Sequence, residues 1–158
     1  MLFPSMDALI DRAIEIRHRG PGDDAFIERL GREAFAVFDP KAGTSTRLLA
    51  EHPDAEALVA VRGRERLGFL VLVKRGYKSW IEAIAVLERA RGLGVGTRLM
   101  QAAVRAARRR GVRRLSLTTA QANVEALALF LRCGFRIERR MPRFYAAGQD
   151  ACVLSRSL

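Results

Sequence analysis

The residues best suited to chemistry in this chain lie between Ile84 and Met100. A hydrophobic stretch, Ile84-Ala85-Val86, runs through Leu87-Glu88-Arg89-Ala90 into Arg91-Gly92-Leu93-Gly94-Val95-Gly96-Thr97. Beyond the glycines the apolar residues take up helical spacing. Glycines let a backbone pass close to a ligand and adopt φ values closed to other residues. A loop that opens a helix also presents N–H groups with no partner inside the helix, and an anion is favoured there. The pattern is that of a pyrophosphate cradle, with Arg91 adding a cation beside it. A P-loop would end in Gly-Lys-Ser/Thr, whereas this run ends Gly96-Thr97-Arg98. A dinucleotide fingerprint would place its glycines tight against the strand. Here Leu87 to Arg91 intervene, and the third glycine comes one residue early.

Two further side chains are candidates for proton transfer. Glu82 sits in an otherwise apolar strand, where burying a carboxylate is costly unless it is used or paired. Strict alternation gives it the side of Trp80, Ile84 and Val86. It reads either as a base or as a glutamate paired with arginine. Tyr145, in the pair Phe144-Tyr145, reads as a group reaching the same region from the last loop or as a packed aromatic. Cys133 and Cys152 form no CxxC pair, and His18 and His52 are isolated. Neither a zinc site nor a disulfide framework is expected, and no metal is called for.

These groups must be positioned by a chain of 158 residues, 49% hydrophobic and 28% charged. That suits a single domain over 1–158 with its core at about 13–157. No apolar run approaches the roughly 18 residues of a membrane span. The N-terminus lacks the basic start and sustained apolar segment of a secretory signal, so a cytoplasmic location is expected. Net charge is +11, and all but three of the 28 basic residues are arginine. Such a surface favours phosphates, nucleic acid or acidic proteins; arginine and alanine enrichment also follows from GC-rich coding.

Periodicity orders the elements. A short helix is expected over 5–12, capped by Ser5, and a strand over Ala13–Arg19. Helices fit Ala25–Phe38 and Thr44–Glu51, the first opened by the acids Asp23 and Asp24. A meander follows: Ala57–Arg62, Arg66–Arg75 and Ser79–Val86, with a tight hairpin at Gly63-Arg64-Glu65. A long helix over Gly94–Arg110 stops at Gly111. A strand over Val112–Thr119, a helix over Val124–Arg132 ended by Gly134, and strands over Phe135–Arg140 and Ala151–Ser157 complete an α/β pattern in three layers with a mixed sheet.

The glycine turn resembles the acyl-CoA loop of the GCN5-related N-acetyltransferase (GNAT) superfamily, Gln/Arg-x-x-Gly-x-Gly/Ala, through Arg91, Gly94 and Gly96. A second segment, Asn123-x-x-Ala126-x-x-Phe130-x-x-x-Gly134-Phe135, is similar to that family's Asn-x-x-Ala helix. Together with element order, the likeness covers about residues 13–157. It implies a three-layer GNAT fold: a mixed, mostly antiparallel sheet splayed between strands four and five, with helices on both faces. It also implies direct transfer of an acetyl group from acetyl-CoA to a primary amine, on a peptide N-terminus, a lysine or a small molecule. The pantetheine arm would pair with Ile84, Ala85 and Val86. The pyrophosphate would sit on the amides of Arg91, Gly92, Leu93, Gly94, Val95, Gly96 and Thr97. Asn123 and Phe130 would line the groove.

The chain also departs from the family pattern. Phe130 stands where many members carry a tyrosine that protonates the CoA thiolate. Thr118 stands where bacterial ribosomal-protein N-terminal acetyltransferases carry a glutamate, although Arg143–Ala151 is similar to the ending of that subgroup. Glu82 and Tyr145 are the remaining catalytic candidates. Two other readings stay open: a non-catalytic acyl-CoA-binding module, and a basic protein associated with ribosome or RNA. The run Arg105, Arg108, Arg109, Arg110, Arg113, Arg114 reads as a solvated helix end or as a patch for ribosome, RNA or the CoA 3′-phosphate. A monomer and a homodimer are both compatible with the sequence.

Overall fold

Strand follows strand through the middle of the chain because its residues alternate or are apolar on both sides. A computed structural model describes Phe3, Ser5, Met6 and residues 14–158. The helix expected over 5–12 falls almost entirely outside the described residues. The elements are β1 (Ile14–His18), α1 (Asp24–Phe35), α2 (Ala42–Ala50), β2 (Ala55–Arg62), β3 (Glu65–Arg75), β4 (Lys78–Val86), α3 (Val95–Arg109), β5 (Arg114–Ala120), α4 (Val124–Arg132), β6 (Arg136–Met141) and β7 (Ala151–Ser157). A 3₁₀ turn at Glu88–Ala90 links β4 to the glycines.

The seven strands form one sheet in the order β1-β2-β3-β4-β5-β7-β6. Every neighbouring pair is antiparallel except β4 and β5. On one face α3 and α4 pack through Leu99, Met100, Ala103, Ala106 and Phe130 against Leu70, Leu72, Leu115 and Leu117. On the other, α1 brings Phe26, Ile27 and Leu30 against Val59, Phe69, Val71, Ala83 and Ala85, with Ala50 of α2 in the same cluster. This is the three-layer, mostly antiparallel α/β arrangement expected from the sequence. The edge strand β6 is exposed almost throughout and carries Arg136, Glu138, Arg139 and Arg140. Glu138 pairs with Arg114 of β5.

Two strand starts shift from expectation for one reason. Gly111 and Gly134, at φ 70° and 86°, end α3 and α4 in the left-handed region. The next residue then donates its N–H back into the helix: Val112 to the Ala107 carbonyl at 3.0 Å and Phe135 to that of Phe130 at 3.1 Å. This two-residue closure keeps Val112 and Phe135 out of the sheet. So β5 begins at Arg114 and β6 at Arg136.

The first layer is fastened by Asp23, whose side chain is 1% exposed. It precedes α1 as expected of an acid at a helix start, but its carboxylate does not cap the helix. It accepts hydrogen bonds from both terminal nitrogens of Arg17 (2.6 and 3.0 Å), from Arg66 Nε (2.6 Å) and from the Gly20 amide (2.7 Å). Strands β1 and β3 and the turn into α1 are thereby joined at one group. The Arg17 guanidinium, then the Gly20 amide and Arg66, hold its pKa far below the ordinary carboxylate value against the cost of burial. Asp23→Asn is expected to cost about 2–3 kcal/mol, below the full price of breaking a buried pair because both guanidinium groups keep solvent. The folded pKa lies below the unfolded one, so this contribution is complete above about pH 4 and fades as pH falls further. Urea midpoints of wild type and Asp23→Asn should differ by a constant amount from pH 5 to 8 and converge in acid.

Candidate active site

Strands β4 and β5 run side by side only from Lys78 and Arg114 to Ile81 and Leu117. Beyond that they part. On its other edge β4 stays paired to β3 as far as Val86 opposite Gly68. Ile84, Ala85 and Val86 therefore present one edge of their backbone to the gap. A groove of about 440 Å³ opens there, lined by those three residues, by Arg91, Gly92, Gly94, Val95, Gly96 and Thr97, and by Asn123, Ala126, Leu129 and Arg132 of the facing helix.

The glycine turn forms one end of this groove. Gly92 and Gly94 sit at φ 79° and 78°, a conformation that costs other residues about 1–2 kcal/mol. Nothing lies within 4 Å of a side chain added at either, so their need for glycine is conformational. Gly96 differs: a Cβ there would come within 3.0 Å of Leu129, so its absence lets α3 lie against α4. The N-terminus of α3 carries no side-chain cap and no acid in its first turn. Its first amides are thus available to an anion. Leu93 turns inward and packs against the core.

A second cavity, of about 200 Å³, adjoins the groove; Phe35 and Asn123 line both. Its walls include Phe38, Asp39, Thr46, Leu49, Glu82, Thr118 and Tyr145. Glu82 reaches it through a β-bulge. Val71 faces Ala83 and Leu72 faces Ile81, which leaves Glu82 without a partner across β3. The extra residue reverses the alternation. Ile84 and Val86 pack toward α3, whereas Ala83 and Ala85 join the α1 cluster. Glu82 lines the cavity with Ala83, so the expected common side with Ile84 and Val86 is corrected. Its side chain is 24% exposed and pairs with Arg75 at 2.9 Å.

Tyr145 comes to this cavity from the β6–β7 loop. Its ring lies 5.0 Å from Phe38 and 5.0 Å from Phe144, edge-on to the latter. The Gln149 side chain donates to the Val37 carbonyl at 3.1 Å and ties this loop to the one after α1. Burial, with a smaller contribution from Cys152, raises the Tyr145 phenol above its ordinary value. Asn123 accepts from the Ala126 amide at 3.3 Å and so starts α4. Phe130 does not line the groove. It is 3% exposed, sits in the core and faces Phe135 at 6.5 Å. One residue earlier, Leu129 takes the groove wall. Helical phase decides this, since neighbours differ by about 100° around the axis.

The basic run is divided. Arg109 lies 3.7 Å from Glu56, Arg110 donates to the Asp54 carbonyl at 3.2 Å, and Arg114 pairs with Glu138. Arg105 and Arg108 face a cleft beside the groove. Among the described residues no cluster of His, Cys, Asp and Glu could hold a metal ion. No described helix is long and apolar enough to cross a membrane.

Known proteins share this fold. Over 88 residues the chain is 34% identical to an N-alpha-acetyltransferase of Sulfurisphaera tokodaii, covering 55% of this chain and 51% of that protein. The chain spans about half the length of the curated relatives it matches. Its fold superposes on Ard1 from Thermoplasma volcanium with a TM-score of 0.81 at 25% identity, over 92% of this chain and 98% of that one. A GNAT family acetyltransferase from Elizabethkingia anophelis, solved with acetyl-CoA bound, shares the fold with a TM-score of 0.73 at 21% identity, over 92% and 99% of the two chains. The sequence model of the Acetyltransferase (GNAT) family matches residues 23–135, spanning α1 through α4, and the chain belongs to that family.

Proposed function

We propose that the protein is an acetyl-CoA-dependent N-acetyltransferase acting on a primary amine. The observation that carries this reading is the meeting of two cavities at Phe35 and Asn123. One is the groove with the free edge of β4 and the uncapped helix; the other holds Glu82 and Tyr145. Acetyl-CoA would lie in the groove, its pyrophosphate on the amides of Gly92–Thr97 and its pantetheine arm along Ile84–Val86. The thioester would then face the smaller cavity, where the acceptor amine enters past Phe38 and Leu49. A cytoplasmic location and a monomeric or homodimeric state belong to the same proposal; both Cys133 and Cys152 are free thiols.

The amine must lose a proton to attack. Its nitrogen forms a bond to the acetyl carbon, the carbon–sulfur bond breaks, and the proton passes to Glu82, directly or through water. A backbone N–H at the parting of β4 and β5 would stabilise the developing oxyanion. Phe130 cannot donate to the leaving thiolate. Tyr145 is the phenol at hand, but its raised pKa exceeds that of a free thiol, about 8.5. It would therefore steady the thiolate by a hydrogen bond rather than hand over its proton.

A second reading is acyl-CoA binding without turnover. It is favoured by the Arg75 guanidinium already occupying the Glu82 carboxylate at 2.9 Å. Calorimetry with acetyl-CoA, followed by thiol release with a panel of N-terminal peptides and small amines, separates the two. Micromolar binding that is lost in Gly94→Glu, with thiol release for some amine, is the expected result. Binding with no thiol release from any amine would leave the second reading, and no binding at all would sink both.

Two substitutions address the proton path. Glu82→Gln should leave acetyl-CoA affinity unchanged and lower kcat by about 10²–10⁴. Tyr145→Phe should lower kcat by about tenfold or more, the range for one hydrogen bond to a charged group. It should also delete, from the absorbance titration at high pH, a phenol that ionises above the usual value of about 10.

A further inference from the structure

Beside the groove lies another concavity, of about 500 Å³, that the proposed reaction does not use. Four arginines line it: Arg105 and Arg108 of α3, Arg132 at the end of α4, and Arg156 of β7. Among the described residues no acidic side chain lines it, and the buried Met100 and Val104 lie at its floor. Among the described residues Arg105, Arg108 and Arg132 have no carboxylate partner, unlike neighbouring Arg109 and Arg114. Arg156 is fixed rather than free to swing: its Nη1 donates to the Cys133 carbonyl at 2.9 Å.

The ends of two helices explain only part of this. Arg108 and Arg132 occupy last turns, where the dipole favours a cation. Arg105 lies earlier in α3, and Arg156 is on a strand. Four guanidinium groups around one concavity repel one another, and planar forks of this kind match the oxygens of phosphate. The cleft also joins the groove, since Thr97 and Arg132 line both. Its near end thus begins at the glycine turn, and Arg108 lies three helical turns further along α3, about 16 Å away at the helical rise.

We propose that the cleft formed by Arg105, Arg108, Arg132 and Arg156 binds a phosphate ester. The phosphate has two sources. One is the 3′-phosphate of the CoA seated in the groove, and this source rests on the reading of the groove given above. The other is a separate phosphorylated ligand, which does not depend on that reading.

The test compares acetyl-CoA with its 3′-dephospho form by calorimetry, and adds inorganic pyrophosphate as a probe of the cleft. The proteins are wild type, Arg105→Ala/Arg108→Ala, Gly94→Glu, and a charge control, Arg64→Ala/Arg113→Ala, removing two exposed arginines elsewhere. Thermal melts confirm that each folds. Wild type should prefer acetyl-CoA over the dephospho form by about tenfold or more, the scale of one charge-assisted hydrogen bond. That preference should vanish in Arg105→Ala/Arg108→Ala and persist in the charge control, which assigns the phosphate to the co-substrate. Equal binding of the two forms, with pyrophosphate binding lost in Arg105→Ala/Arg108→Ala but kept in Gly94→Glu, assigns it to a separate ligand. The same pyrophosphate pattern in protein that binds neither form of acetyl-CoA would overturn the groove reading and leave the cleft standing. The absence of both a preference and an Arg105- and Arg108-dependent pyrophosphate signal overturns the proposal.

Discussion

Two parallel strands that pair over four residues and then separate leave backbone groups that need a partner. In this protein the parting of β4 and β5 after Ile81 and Leu117 is the constraint to which the neighbouring elements answer. On one side of the gap β4 keeps its pairing to β3 as far as Val86, so that edge is satisfied while its other edge is free. On the far side α4 stands in place of a strand and supplies Asn123, Ala126 and Leu129 as a wall. The glycine turn closes one end of the opening with helix amides, and the smaller cavity with Glu82 and Tyr145 adjoins it. An unpaired strand edge buried without a partner would be costly. An edge that lines a groove instead meets water or an extended ligand that can hydrogen-bond to it.

The bulge at Glu82 is the second device, and it works with the first. A regular strand would place Glu82 on one face and Ala83 on the other. With one extra residue the carboxylate moves to the α1 side, while Ile84 and Val86 remain packed toward α3. One strand thereby serves two cavities: its apolar residues wall the groove and its single acid lines the adjoining space. The arginine that meets Glu82 comes from the partner strand, β3, so the acid is balanced without drawing on α1 or α2.

Much of this was legible in the sequence. Alternation marks the meander, helical spacing marks α1, α3 and α4, and Gly111 and Gly134 mark helix ends. The glycines at 92, 94 and 96 mark the turn because their consequences are local: two adopt positive φ and one permits close packing. What the sequence hid is what depends on neighbours. Alternation cannot announce a bulge, since the extra residue is defined only against the opposite strand. Phe130 matches a motif position by number, yet the phase of α4 turns it to the core and gives Leu129 to the groove. The arginines at 105, 108, 132 and 156 are scattered along the chain, and only the packing of α3 against α4 and β7 gathers them. Asp23 resembled an ordinary helix-start acid, and its bonds to Arg17 and Arg66 needed the fold to bring β1 and β3 to it.

The edge strand β6 has a consequence of another kind. Among the described strands β6 has no neighbour on its outer edge, the kind of surface on which a second chain can add a strand. A bulge leaves Glu138 without a partner on β7, so Arg136 and Arg139 fall on one side of the strand and Ile137 and Arg140 on the other, which puts charge on both. A strand laid against that edge would have to bring its own side chains among guanidinium groups whichever face it used. Continuing the sheet past β6 is therefore unfavourable, and arginine, which makes up all but three of the 28 basic residues, supplies the charge that limits it there.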